Sequence, residues 1–178
     1  MRRAVLIVGV GTTDHGDDAA GLAVARRVGV LLAEPARRGI RDAVTVVEHT
    51  GDAAALMEAW AGAQAAILVD AVVSGASPGT IYRLDLGAVT IPSLRHPSTH
   101  AFGIAEAVGL ARALGRGPSC AVLYGIEAAS CSPGHGMSAP VASAVETAAR
   151  RVLEEALDLA EAADGQSRVG ERGVGPTV

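Results

Sequence analysis

Aromatic side chains make up only 2% of this chain, with one Trp, one Phe and two Tyr, and cysteine occurs twice. Nucleic-acid bases are held by aromatic stacking and by concentrated positive charge, and a chain with formal net charge −4 offers neither. Nucleic acid is therefore excluded as the main partner. Two thiols, Cys120 in an apolar run and Cys131 in a polar loop, make no secreted disulfide framework and read as free thiols. No window approaches the ~18 uninterrupted apolar residues that a membrane-spanning helix needs. The start, MRRAVLIVGVGTTDHGDD, superficially resembles a signal peptide, but its apolar run is short and passes into glycine and acid, so it reads as a first strand. A cytoplasmic protein without a membrane partner is expected. There is no G-x-S-x-G elbow and no H-E-x-x-H zinc motif, and Cys120 lies in an apolar run where a thiol is inert packing. Serine, cysteine and conventional zinc peptidase schemes lose their usual signatures.

What is present is a core of small and branched aliphatics. With 178 residues, 49% of them hydrophobic, the chain suits a single domain with a sizeable interior. A continuous β-rich run at Ala4–Val8 fits a strand buried on both faces, Val44–Glu48, Ala65–Asp70 and Cys120–Ile126 read as further strands, and Ile81–Leu84 alternates like an edge strand. Between them, helical spacing appears from Asp17, with the stripe Leu22, Ala25, Val28 and Leu32, then from Ala53 to Ala61 behind Asp52. A further helix runs from about Thr99 to Leu114 behind a capping Ser98. The last opens at Ser138 and Pro140 and ends near Ala163. Strands alternating with helices predict a three-layer α/β/α fold, a mostly parallel five-stranded sheet with helices on both faces. The domain is expected over 1–163, with 164–178, rich in glycine and without periodicity, a disordered tail.

In a parallel sheet the C-terminal strand ends share one edge, and three chemically able residues fall there. Asp18 follows the first strand, Asp70 closes the third, and His100 opens a helix after HPSTH. Two carboxylates and one imidazole without a thiolate suit a borderline divalent ion such as nickel or zinc, with coordination positions left open. Singly, each has a plain structural reading: a helix cap for Asp18, a loop-amide partner for Asp70, a surface or capping residue for His100. Asp17 reads as a cap with a dipole contribution of about 0.5–1 kcal/mol. The glycines after the first strand invite a dinucleotide reading. Their spacing departs from G-x-G-x-x-G, and Asp17 and Asp18 would put like charge against a pyrophosphate. His15, His49, His96 and His135 stand in loops and read as solvated, the alternative for His15 and His49 being a place near the site.

Taken in order, Gly9-Val10-Gly11, Asp17-Asp18 with Gly21, Leu68-Val69-Asp70-Ala71-Val72, Ser98-Thr99-His100 with Gly103, and Tyr124-Gly125-Ile126-Glu127 resemble the maturation endopeptidases of nickel-iron hydrogenases. The similarity runs from about residue 4 to residue 160. It implies an endopeptidase that removes a short C-terminal extension from a hydrogenase large-subunit precursor after nickel insertion. By position it implies that Asp18, Asp70 and His100 are the metal-binding and catalytic residues, with Gly21 selecting Asp18 over Asp17. The nickel would be supplied by the precursor, other divalent ions filling the site in vitro. Either the metal polarises the scissile carbonyl or a carboxylate such as Asp18 activates water. Thr12 stands where the family commonly has Asn, and Thr13-Asp14-His15-Gly16 replaces a longer apolar segment. These departures bear on substrate preference. The same three residues also permit a non-cleaving checkpoint protein for the nickel-loaded precursor, and the fold alone permits a small-molecule hydrolase or nucleotide-binding domain.

Overall fold

A computed structural model describes residues 4–37, 41–87 and 99–171. In chain order it contains β1 (Val5–Val10), a 3-10 turn at Gly16–Ala19, α1 (Ala20–Leu32), a second 3-10 turn at Pro35–Arg37 and β2 (Val44–His49). There follow α2 (Ala53–Ala59), β3 (Ala65–Val72), β4 (Ile81–Asp85), α3 (Thr99–Leu114), β5 (Cys120–Glu127) and α4 (Ala139–Glu171). The five strands form one sheet in the order β2-β1-β3-β5-β4, parallel throughout except for β4, which pairs antiparallel with β5 at the edge. The three-layer, mostly parallel architecture expected from the strand and helix alternation is the one observed.

Side chains alternate across each strand, so every central strand feeds two cores. Val5, Ile7, Ile67, Val69, Val122 and Ile126 face α1 and α4, where Val24, Val28, Val141 and Val152 pack against them. Leu6, Val8, Leu68 and Leu123 face the other way, toward Leu56 and Trp60 and the α3 residues Ile104, Ala107 and Val108. Asp52 caps α2 as the sequence suggests, its Oδ1 accepting the Ala55 N–H at 2.9 Å.

Two glycines set how α1 meets the sheet. A Cβ on Gly21 would collide with the carbonyl oxygens of Val10 and Val69, and one on Gly9 would collide with the Gly21 carbonyl. Helix α1 therefore lies directly against the backbones of β1 and β3. That close approach fixes the 3-10 turn three residues earlier over the gap where the chain's connections diverge to the two halves of the sheet. The observed last helix continues to Glu171 rather than ending near Ala163. Extending an existing helix needs no new nucleus, so Gly165 and Gly170, at roughly 1 kcal/mol each, do not stop it. No helix among the described residues is long and apolar enough to cross a membrane.

Candidate active site

The C-terminal ends of β1 and β3 deliver the two expected carboxylates to one place. Asp18 sits in the Gly16–Ala19 turn at 3% exposure, and its Oδ2 accepts the Thr12 N–H at 2.8 Å. Asp70 lies within β3, between β1 and β5, at 1% exposure. Its Oδ1 accepts the adjacent Ala71 N–H at 2.8 Å, while its Oδ2 is buried with no hydrogen-bond partner among the described residues. Burial, and after it the negative charge of Asp18, push the Asp70 carboxyl well above the ordinary carboxylate range. An orphaned, buried carboxylate oxygen beside a second carboxylate is costly, and a divalent cation removes both the lack of a partner and the repulsion. These two acids fit a metal.

The third expected donor is only partly accounted for. His100 falls in the first turn of α3, but its side chain lies outside the described residues, as does His96. Among the described residues, no three His, Cys, Asp or Glu side chains form a ready metal cluster. The described part of the site is thus the carboxylate pair Asp18 and Asp70.

Asp17 corrects the capping interpretation. Neither the turn nor α1 has a side-chain cap, and the Asp17 carboxylate instead reaches across to the loop between β5 and α4. Its Oδ2 accepts the N–H groups of Ala129 (2.8 Å) and Ser130 (3.2 Å) and the Ser138 hydroxyl (2.9 Å). Its Oδ1 accepts the Ser138 N–H at 2.6 Å. Burial raises its pKa, but these bonds together outweigh that and hold the carboxyl below its ordinary value. Asp17 clamps one loop of the sheet edge onto the other. A second clamp is Glu127, buried at the end of β5, which accepts from the Ser74 N–H and hydroxyl and from the N–H groups of Gly75 and Ala76.

The clamped loop also carries Cys131, to which the sequence assigned no place in the site. Burial first, then the carboxylates of Asp18, Asp17 and Asp70, push its thiol up to about 11. It is therefore neutral near pH 7 and no nucleophile. His49 ends β2 beside Val10, its Nδ1 accepting the Gly51 N–H at 2.9 Å. Burial lowers its pKa against the opposing pull of Asp52, so it favours the neutral ring.

Fold and site together define a doubly wound α/β protein with a carboxylate pair, and no activated thiol, at its topological switch point. Residues 30–155 match the family model described as HycI, hydrogenase maturation protease. The chain belongs to the hydrogenase maturation proteases, and is a peptidase. The match includes Asp70 and begins after Asp18, whose position rests on the structure. Among solved structures, the hydrogenase maturating endopeptidase HybD from Escherichia coli is similar at TM-score 0.70 and 26% identity, with 87% of this chain and 91% of that chain covered. An endopeptidase from Escherichia coli gives TM-score 0.73 at 27% identity, covering 88% and 92%. The maturation protease HybD from Thermococcus kodakarensis shares the fold at TM-score 0.66 and 24% identity, covering 88% and 99%. No curated protein matches the sequence.

Proposed function

We propose that this peptidase removes the C-terminal extension of a nickel-iron hydrogenase large-subunit precursor, and that Asp18, Asp70 and His100 recognise nickel already held by that precursor. The observation that carries the reading is the unpartnered Asp70 Oδ2 buried beside Asp18. A resident structural metal is normally enclosed by a full donor set, whereas a pair of acids with open positions suits an ion that arrives with ligands of its own. The Thr12 N–H fixes Asp18, and the Ala71 N–H fixes Asp70 by its other oxygen. Both acids are thus oriented before substrate arrives.

The test is incubation with a nickel-loaded, C-terminally extended large subunit, followed by intact-mass measurement. The expected product is shorter by the extension with the wild-type enzyme and uncut with His100→Ala. An unchanged mass with wild-type enzyme, or cleavage of nickel-free precursor at the same rate, contradicts the proposal.

A further inference from the structure

Two histidines outside the carboxylate pair are held in the same way on two loops that touch. The His15 Nδ1 lies 3.1 Å from the carbonyl of Thr13, and the His135 Nδ1 lies 3.0 Å from the carbonyl of Pro133. A carbonyl only accepts, so each Nδ1 is the donor, which leaves Nε2 as the ring atom available to a ligand. This pattern, Nδ1–H given to a backbone carbonyl two residues back, fixes ring and tautomer as in metal-ligating histidines.

The residue between carbonyl and histidine is left-handed in both loops, Asp14 at φ 62° and Gly134 at φ 75°. The two turns are joined by their backbones: the Gly134 N–H donates to the Asp14 carbonyl at 2.7 Å, and the Gly16 N–H to the His135 carbonyl at 3.0 Å. The loops that carry His15 and His135 are therefore neighbours along their backbones. The Asp17 clamp then ties the same two loops together. His15 is half-buried, His135 is exposed, and Asp14 beside them is exposed.

We propose that His15 and His135 together bind a borderline divalent cation through their Nε2 atoms, at the rim of the sheet edge and separately from Asp18 and Asp70. Neutral imidazoles suit zinc, nickel and copper ions, and the nearby acids favour a cation over an anion. Two donors leave most coordination positions to water, so the site is exchangeable.

The test uses the full chain, freed of metal, with histidine ring nitrogens labelled and zinc ion as the probe. Histidine-to-glutamine variants assign the ring signals in an NMR titration. The expected result is that the Nε2 signals of His15 and His135 move together with one midpoint. His15→Gln should then weaken the response of His135 by about tenfold or more, since the second donor acts at high effective concentration, and His135→Gln should do the same to His15. Asp70→Asn should leave the joint midpoint unchanged. Independent midpoints that ignore loss of the other ring, or no response of either, would overturn the proposal. So would a joint response abolished by Asp70→Asn, which would place both rings in the carboxylate site.

Discussion

Replacing Asp17 by Asn separates a clamp from a cap. In the native protein one carboxylate oxygen accepts three hydrogen bonds and the other accepts the Ser138 N–H at 2.6 Å. An amide keeps one acceptor. With its oxygen at the three-bond position, its NH2 faces the Ser138 N–H, donor against donor. Leaving one buried donor unmet costs about 1–3 kcal/mol, and weakening three charge-assisted bonds to neutral ones adds about 1–2 kcal/mol after allowance for non-additivity. The sum, about 2–5 kcal/mol, is a large part of the roughly 5–15 kcal/mol that holds a domain together. For a chain of this size it lowers Tm by about 4–20 °C. A cap would cost about 0.5–1 kcal/mol. Because the folded carboxyl lies below its ordinary value, its stabilisation is present above the unfolded pKa of about 3.9 and is lost as pH falls through the folded value. Thermal and urea denaturation should therefore show the full difference between wild type and variant near pH 7, shrinking at the acid end. A loss of under about 1 kcal/mol, or a gap that persists unchanged into strong acid, would refute the clamp.

Two further variants read the same region. Asp70→Asn should abolish processing yet raise the stability of the metal-free protein by about 1–2 kcal/mol, since it removes a buried, repelled charge and keeps the shape. That gain should grow as pH rises from about 3.9 toward the raised pKa of Asp70; a destabilised variant would count against the orphaned oxygen. Gly21→Ala should cost about 3 kcal/mol or more, because its methyl meets the carbonyls of Val10 and Val69. A Tm unchanged from wild type would show that α1 does not rest on the strands.

Much of this arrangement was legible before any coordinates. Val5–Val10 and Ala65–Val72 are apolar without alternation because they are covered on both faces, and that pattern alone implies parallel neighbours and a shared C-terminal edge for Asp18 and Asp70. Gly21 was informative for a reason local sequence does not state: it is the point of helix–backbone contact, across elements. Asp17 was misread because its partners Ala129, Ser130 and Ser138 are more than a hundred positions away, and an acid at a helix start has a sufficient local explanation. Cys131 was passed over on the same ground, since its loop is brought to the acids by the Asp17 clamp and the backbone bonds beside it, all between residues far apart in sequence. An acid paired with a distant Ser-Ala-Pro helix start carries no periodic signal.

The measurement that bears most directly on the site is a crystal of the protein soaked with nickel ion and examined at the nickel absorption edge. The expected result is a strong anomalous peak at the C-terminal edge of β1 and β3, within about 2.0–2.2 Å of Asp70 Oδ2 and of an Asp18 oxygen, with His100 completing the protein donors, whether or not a second peak lies at His15 and His135. A peak elsewhere with the carboxylate pair left empty, or one that survives unchanged in Asp70→Asn, would contradict the assignment of Asp18 and Asp70 as the residues that meet the metal.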